Sequence, residues 1–140
     1  MIFQTIGYQN SVMYWARDHR VHHKYTETDA DPHNATRGFF FSHIGWLFCR
    51  SHPDLKEAWS KVDISDLKAD PVVRFQDKFY YPLTALFCFT VPTMIPMYIW
   101  GETFENAFFI AAILRLILAS HVTLSVNSFA HLWGDKPFDK

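Results

Sequence analysis

The sequence contains little cysteine and little excess charge of either sign. Its 140 residues include only two cysteines, Cys49 and Cys88, too few for the disulfide framework of a small secreted protein. The formal net charge is −1, which excludes the strong basic excess typical of a nucleic-acid-binding domain. Hydrophobic residues make up 49% of the chain, and this fraction excludes a disordered polypeptide.

Charge is also nearly missing from the second half of the chain, where two long apolar segments lie. Residues 1–78 contain ten Lys or Arg and ten Asp or Glu. The charged residues of 79–134 are only Glu102, Glu105 and Arg115. The segments Tyr80–Trp100 and Phe104–Trp133 are each long enough to cross a bilayer, which takes about 20 apolar residues in a helix. We therefore predict an all-α fold with two integral membrane helices and a helical, histidine-rich cap.

The distribution of charge also predicts an orientation. The loop between the spans, GETFEN, has two acids and no Lys or Arg, whereas the polar region before the spans carries Lys and Arg and the one after them carries Lys. The positive-inside rule then places these polar regions, and the cap, in the cytosol. Three regions of one partial domain (1–140) follow: a cytosolic or interfacial region at 1–78, two transmembrane helices at 79–126 and a cytosolic extension at 127–140. Arg115 and His121 fall within the second span and should face protein or reach the membrane surface.

The polar half has the patterns of shorter helices. Residues 2–25 predict one continuous helix, which the turn-forming segment TETDADPHN ends. Asn34 is a suitable N-cap for a second helix over 35–51. That helix is aromatic and too short to span a bilayer, so it is expected either to lie in the membrane interface or to be buried in the protein.

Six of the eight histidines lie between His19 and His52, and three of them form the sequence HRVHH. On a helix, His19, His22 and His23 fall on one face, where their imidazoles can meet one or two metal ions. Asn127 and His131 form a weaker pair, four residues apart, at the end of the second span. The remaining histidines of the first half are expected to make polar contacts: His33, His43 and His52.

The histidines alone do not identify the metal, because zinc, iron, copper and nickel all bind imidazole. The common zinc patterns are missing, because the chain has no HExxH motif and no cysteine in the cluster.

The segment HRVHHKYTETDADPHN, followed by RGFFFSHIGWL and VNSFAHLWGDKPFDK, closely resembles the membrane fatty acyl-CoA desaturases. The nearest likeness is to the stearoyl-CoA (delta-9) type and its insect relatives. The resemblance implies an endoplasmic-reticulum enzyme with four membrane spans and a cytosolic cap that contains the histidine box. It would hold two iron ions (Fe2+) and introduce a cis double bond into a fatty acyl-CoA. O2 and electrons from cytochrome b5, supplied by its reductase, would be consumed.

The resemblance also implies roles for individual residues. The metal ligands would be His19, His22, His23 and His131, with Asn127 reaching iron through a water, and no further catalytic residue is implied. Contacts to acyl-CoA map onto Asn10, Arg17, Asp18 and Arg50. Positions at which the family's acyl tunnel bends map onto Gln9, Trp15 and Thr123. Ser51 and His121 depart from the mammalian pattern, and Leu124 stands where many members of the family have a Trp.

Two further histidine boxes of the family, HxxxxH and HxxHH, are expected before Met1 and after Lys140. We therefore expect the chain to be an internal part of a desaturase and to be inactive alone. Two alternatives remain open at this stage: a membrane di-iron fatty-acid hydroxylase, and a non-catalytic truncated product that only binds partners.

Overall fold

The structure is a computed structural model and describes residues 1–133. Over these residues it is helical and contains no β-strand, which confirms the all-α prediction. The described chain divides into two compact units, one of residues 1–17 and 63–120, the other of residues 18–62 and 121–133. Part of the predicted cytosolic extension, residues 134–140, lies outside the described residues.

Eight helices cover most of the described chain. In chain order they are α1 (Ile2–Ile6), α2 (Val12–Tyr25), α3 (Phe39–His43), α4 (Pro53–Lys61), α5 (Ser65–Ala69), α6 (Pro71–Lys78), α7 (Tyr80–Trp100) and α8 (Phe104–Leu132). Two short 3-10 turns, Ala35–Arg37 and Gly45–Phe48, flank α3. Helices α7 and α8 are long and apolar enough to cross a membrane, as the sequence predicts, and their bounds match the predicted spans to within one residue.

The prediction of one helix over residues 2–25 is wrong, because the chain turns between α1 and α2. Tyr8 and Asn10 have positive φ values of 52° and 66° in this turn. The buried side chain of Gln76 stabilises the first residue of α2, because its Oε1 accepts a hydrogen bond from the Val12 N–H at 3.0 Å. Its Nε2 also donates to Thr5 Oγ1 at 3.2 Å, so one α6 side chain joins the ends of α1 and α2.

Helix α7 has a π-helical segment, Ala85–Thr90, which ends two residues before Pro92. Pro92 has no N–H to give to the carbonyl four residues earlier, which belongs to the fully buried Cys88. The guanidinium of Arg115 donates to this carbonyl at 2.8 Å and to the Ile6 carbonyl at 3.2 Å. Arg115 therefore faces protein, as predicted for a cation within a span.

The second unit packs around a small apolar core of Val21, Ala30, Leu55 and Ala58. The prediction of one continuous helix over 35–51 is wrong. The chain is interrupted at Gly38, whose φ of 94° ends the first 3-10 turn. Asn34 is confirmed as a cap, since its Oδ1 accepts from the Thr36 N–H at 2.9 Å.

Candidate metal centre

The three histidines of HRVHH lie on one face of α2 and meet a fourth from α8. The Nε2 atoms of His19 and His23 are 3.0 Å apart. The ring of His22 lies 5.4 Å from the ring of His23 and 4.9 Å from that of His131. Asn127 lies one turn before His131 on α8 and is half-buried. The structure thus brings together the four histidines that the resemblance names as ligands.

The histidines of the cluster differ in their exposure to solvent. His22 is 6% exposed, whereas His19 and His23 are exposed. Burial, helped by the nearby His23 and His22, lowers the pKa of His19 below its ordinary value. A neutral imidazole has a lone pair to offer to a metal ion, and iron, zinc, copper and nickel all accept this donor. The donor set therefore fits the iron that the resemblance implies.

A buried carboxylate lies against the cluster, and the sequence analysis did not identify it. Asp31 Oδ1 accepts from His22 Nδ1 at 3.0 Å, and its Oδ2 accepts from the Glu27 N–H at 2.9 Å. Burial alone would raise the pKa of the Asp31 carboxyl, but these hydrogen bonds outweigh burial and hold the pKa below its ordinary value. The sequence signal was weak, because an Asp in TETDADPHN is equally typical of a surface turn.

His33 belongs to the same neighbourhood. Its ring centroid is 4.3 Å from that of His22, and its side chain is 11% exposed. Burial, with a further contribution from His22, lowers the pKa of His33 to about 4. His22, Asp31 and His33 offer donor atoms that all lie within 4.8 Å of one another. His33 therefore lies beside the predicted ligands rather than in an unrelated polar contact.

The other two histidines of the first half make polar contacts, as predicted. The side chain of His52 accepts from the Asp54 N–H at the start of α4. His43 lies between Ser128 Oγ, 2.9 Å from its Nδ1, and His121 Nδ1, 3.0 Å from its Nε2. This pair gives His121, a departure from the mammalian pattern, a partner within the protein.

Two of the predicted acyl-CoA residues, Asp18 and Arg50, line one cleft of the second unit. The lining also includes two further acids, a second arginine and two indole rings: Asp29, Asp31, Arg37, Trp46 and Trp59. The cleft therefore combines two cations and three acids with indole rings. The Nε1 of Trp46 is buried and has no hydrogen-bond acceptor among residues 1–133. A donor of this kind, beside arginines, suits an anionic ligand with ring systems.

The remaining predicted substrate residues lie elsewhere on the described chain. The Arg17 guanidinium lies 5.0 Å from the ring centre of Tyr14, and Trp15 is 40% exposed. The turn between α1 and α2 contains Gln9 and Asn10, and the Gln9 carbonyl accepts from the Gln4 side chain. Thr123 lies on α8 and is half-buried.

Comparison with known proteins supports the family resemblance that the sequence motifs indicate. A model of the family "Fatty acid desaturase" matches residues 1–140. The chain belongs to the fatty acid desaturase family. Stearoyl-CoA desaturase 5 of Bos taurus is 59% identical over 136 residues, which are 97% of this chain and 41% of that protein. Two proteins of Acheta domesticus each match over 140 residues, all of this chain and 39% of their length. They are an acyl-CoA Delta12-desaturase, 53% identical, and an acyl-CoA Delta-9 desaturase, 54% identical.

The chain thus spans about two fifths of the length of the desaturases that it matches. The predicted family is confirmed. The names of the two Acheta domesticus proteins give different double-bond positions, yet both proteins have nearly the same sequence identity to this chain, 53% and 54%. Overall identity to desaturases therefore does not indicate a double-bond position.

Proposed function

We propose that the chain is part of a membrane acyl-CoA desaturase and supplies a share of the ligands of its iron centre. The observation that supports this most is the meeting of His19, His22 and His23 of α2 with His131 of α8 in a chain of the desaturase family. Asn127, one turn from His131, is proposed to reach iron through a water. Iron, when bound, supplies the activation of O2 that removal of hydrogen from an unactivated methylene requires.

The chain's own residues hold the metal and orient the substrate. The histidines present imidazole nitrogen donors, and α8 carries His131 and Thr123 on one helix. A fatty acyl-CoA is proposed to place its phosphates against Arg50 and Arg37 and its polar groups against Asp18, because guanidinium groups bind phosphate bidentately. Gln9, Asn10, Trp15 and Arg17 are proposed as further substrate contacts. Holding the chain in one position would select which carbon–carbon bond is oxidised.

The proposal places α7 and α8 in the endoplasmic-reticulum membrane, with residues 1–78 and the end of α8 on the cytosolic side. Cytochrome b5 and its reductase are proposed as the electron donors. The two candidate spans and the Lys and Arg of the flanking regions support this arrangement.

The test uses a chimera in which these 140 residues replace the matching segment of the Acheta domesticus acyl-CoA Delta-9 desaturase, with which they share 54% identity. We expect the chimera to restore unsaturated fatty acids in a desaturase-deficient yeast. His22→Ala should abolish the product, while His121→Ala, a matched change outside both the cluster and the cleft, should leave it. Full product from His22→Ala would contradict the ligand assignment, and an alcohol in place of an alkene would favour a hydroxylase.

The substrate cleft is tested separately in the same chimera. Arg50→Ala should raise KM for acyl-CoA by roughly 10- to 100-fold with little change in kcat, since a hydrogen bond to a charged group contributes about 1.5–3 kcal/mol. Arg74→Ala removes an exposed arginine from α6 and serves as the control. Equal KM values for the two variants would argue against Arg50 as a substrate contact.

A further inference from the structure

Asp31 is a buried acid that none of the proposed ligand or substrate roles uses. It lies in the loop after α2, and its side chain is 1% exposed. A carboxylate buried this deeply needs partners, because an isolated buried charge is strongly unfavourable. The groups that donate hydrogen bonds to Asp31 indicate its role.

Three donors surround this carboxylate. Oδ1 accepts from His22 Nδ1 at 3.0 Å and from the His33 N–H at 3.1 Å. Oδ2 accepts from the Glu27 N–H at 2.9 Å. Two of the donors are backbone groups of the same short loop, so the loop fixes the carboxylate independently of the histidine side chain. Asp31 is therefore a rigid acceptor presented to His22.

The hydrogen bond determines which nitrogen of His22 remains available. An ionised carboxylate only accepts hydrogen bonds, so the ring proton of His22 lies on Nδ1. The lone pair is then on Nε2, the single atom left for a metal ion. A carboxylate on the far side of a ligating imidazole is a frequent arrangement in metal sites, where it fixes the tautomer and raises the basicity of the ligand.

The ring of His22 is also restrained from the side. The His33 ring lies 4.3 Å away, tilted by 45°, and Trp46 packs edge-on against His33 at 5.7 Å. Rotation of His22 would break its bond to Asp31 and collide with this stack.

We propose that Asp31 is a positioning residue that fixes the tautomer and the orientation of His22 and thereby strengthens metal binding. The inference rests on the proposed function, because it takes His22 as a ligand. It adds a residue that acts on the metal through His22.

The test measures the affinity of the purified chimera for Fe2+ alone, by anaerobic titration against a competing chelator. Asp31→Asn keeps the shape of the side chain but removes the charge and one acceptor. We expect its Fe2+ affinity to fall about 10- to 100-fold, the usual cost of losing a residue that orients a metal ligand. Asp29→Asn changes an exposed acid of the same loop and should leave the affinity unchanged.

Thermal unfolding of the metal-free proteins separates positioning from folding. We expect Asp31→Asn to stay folded without metal and to lose affinity, and Asp31→Glu, which keeps the charge but displaces it, to show a smaller loss. Unchanged affinity in both variants would overturn the inference, as would loss of the folded metal-free state in both. Failure of the unaltered chimera to bind Fe2+ would instead contradict the proposed function.

Discussion

Arg115 should be coupled energetically to Pro92, although the two residues lie on different helices. The Arg115 guanidinium donates to the carbonyls of Cys88 and Ile6, at 2.8 and 3.2 Å. The Cys88 carbonyl is the one that Pro92 leaves without an i→i+4 donor. Arg115 thus donates to the carbonyl that lies four residues before Pro92.

Replacing Arg115 by Met removes both of these bonds and a third, from Arg115 Nε to the Ala111 carbonyl at 3.0 Å. Hydrogen bonds of a charged group contribute about 1.5–3 kcal/mol each, so the gross loss is about 4.5–9 kcal/mol. Methionine also relieves the cost of keeping a cation in apolar surroundings, so we expect a smaller net loss, about 3 kcal/mol.

The second change, Pro92→Ala, restores an N–H opposite the Cys88 carbonyl. The double variant should therefore be less destabilised than the sum of the single variants, by about 1 kcal/mol, the net value of a typical hydrogen bond. Pro96→Ala is the matched control, since its new N–H would face the Pro92 carbonyl instead. It should not couple to Arg115→Met.

The assay is reversible unfolding of the detergent-solubilised chimera by increasing denaturant, for the wild type and each single and double variant. Equal coupling energies for Pro92 and Pro96, or no coupling for either, would refute the reasoning. A result of that kind would mean that the carbonyl of Cys88 finds another donor when Arg115 is lost.

Three smaller effects on thermal unfolding follow from the same contacts. Gln76→Ala leaves the Val12 N–H without its acceptor and should lower the free energy of unfolding by about 1–3 kcal/mol. A stability equal to that of the wild type would contradict the role of Gln76 in joining α1 and α2. Asn34→Ala should cost about 0.5–2 kcal/mol by loss of a cap, with Asn34→Asp close to neutral; equal losses would exclude capping as the cause. His43→Phe removes a bond to His121 and should destabilise by about 1–3 kcal/mol, whereas His43→Gln should lose less; the reverse order would argue against the bond.

The two helices that are long and apolar enough to span a membrane were predictable, because long apolar runs determine them locally. The bounds of Tyr80–Trp100 agree with the observed helix, and the charged Arg115 faces protein as its cost in lipid requires. The cap at Asn34 was also predictable, because its hydrogen bond joins neighbours in the chain.

The errors arose where distant residues or backbone angles decide the structure. The break between α1 and α2 depends on the side chain of Gln76, which is more than sixty residues away in sequence. The helix over 35–51 is interrupted at Gly38, whose positive φ no hydrophobic pattern reveals. Asp31 was missed because its role follows from how its loop folds back onto His22, and turn residues by themselves carry no such signal.

The most direct test of the account is the iron content of the purified chimera, measured for the wild type, His22→Ala and His52→Ala. Each protein would be reconstituted with Fe2+, freed of unbound metal and analysed for metal per polypeptide. The account predicts bound iron in the wild type and in His52→Ala, and a clear loss in His22→Ala. Equal iron in all three proteins would contradict the assignment of the histidine cluster as the metal centre.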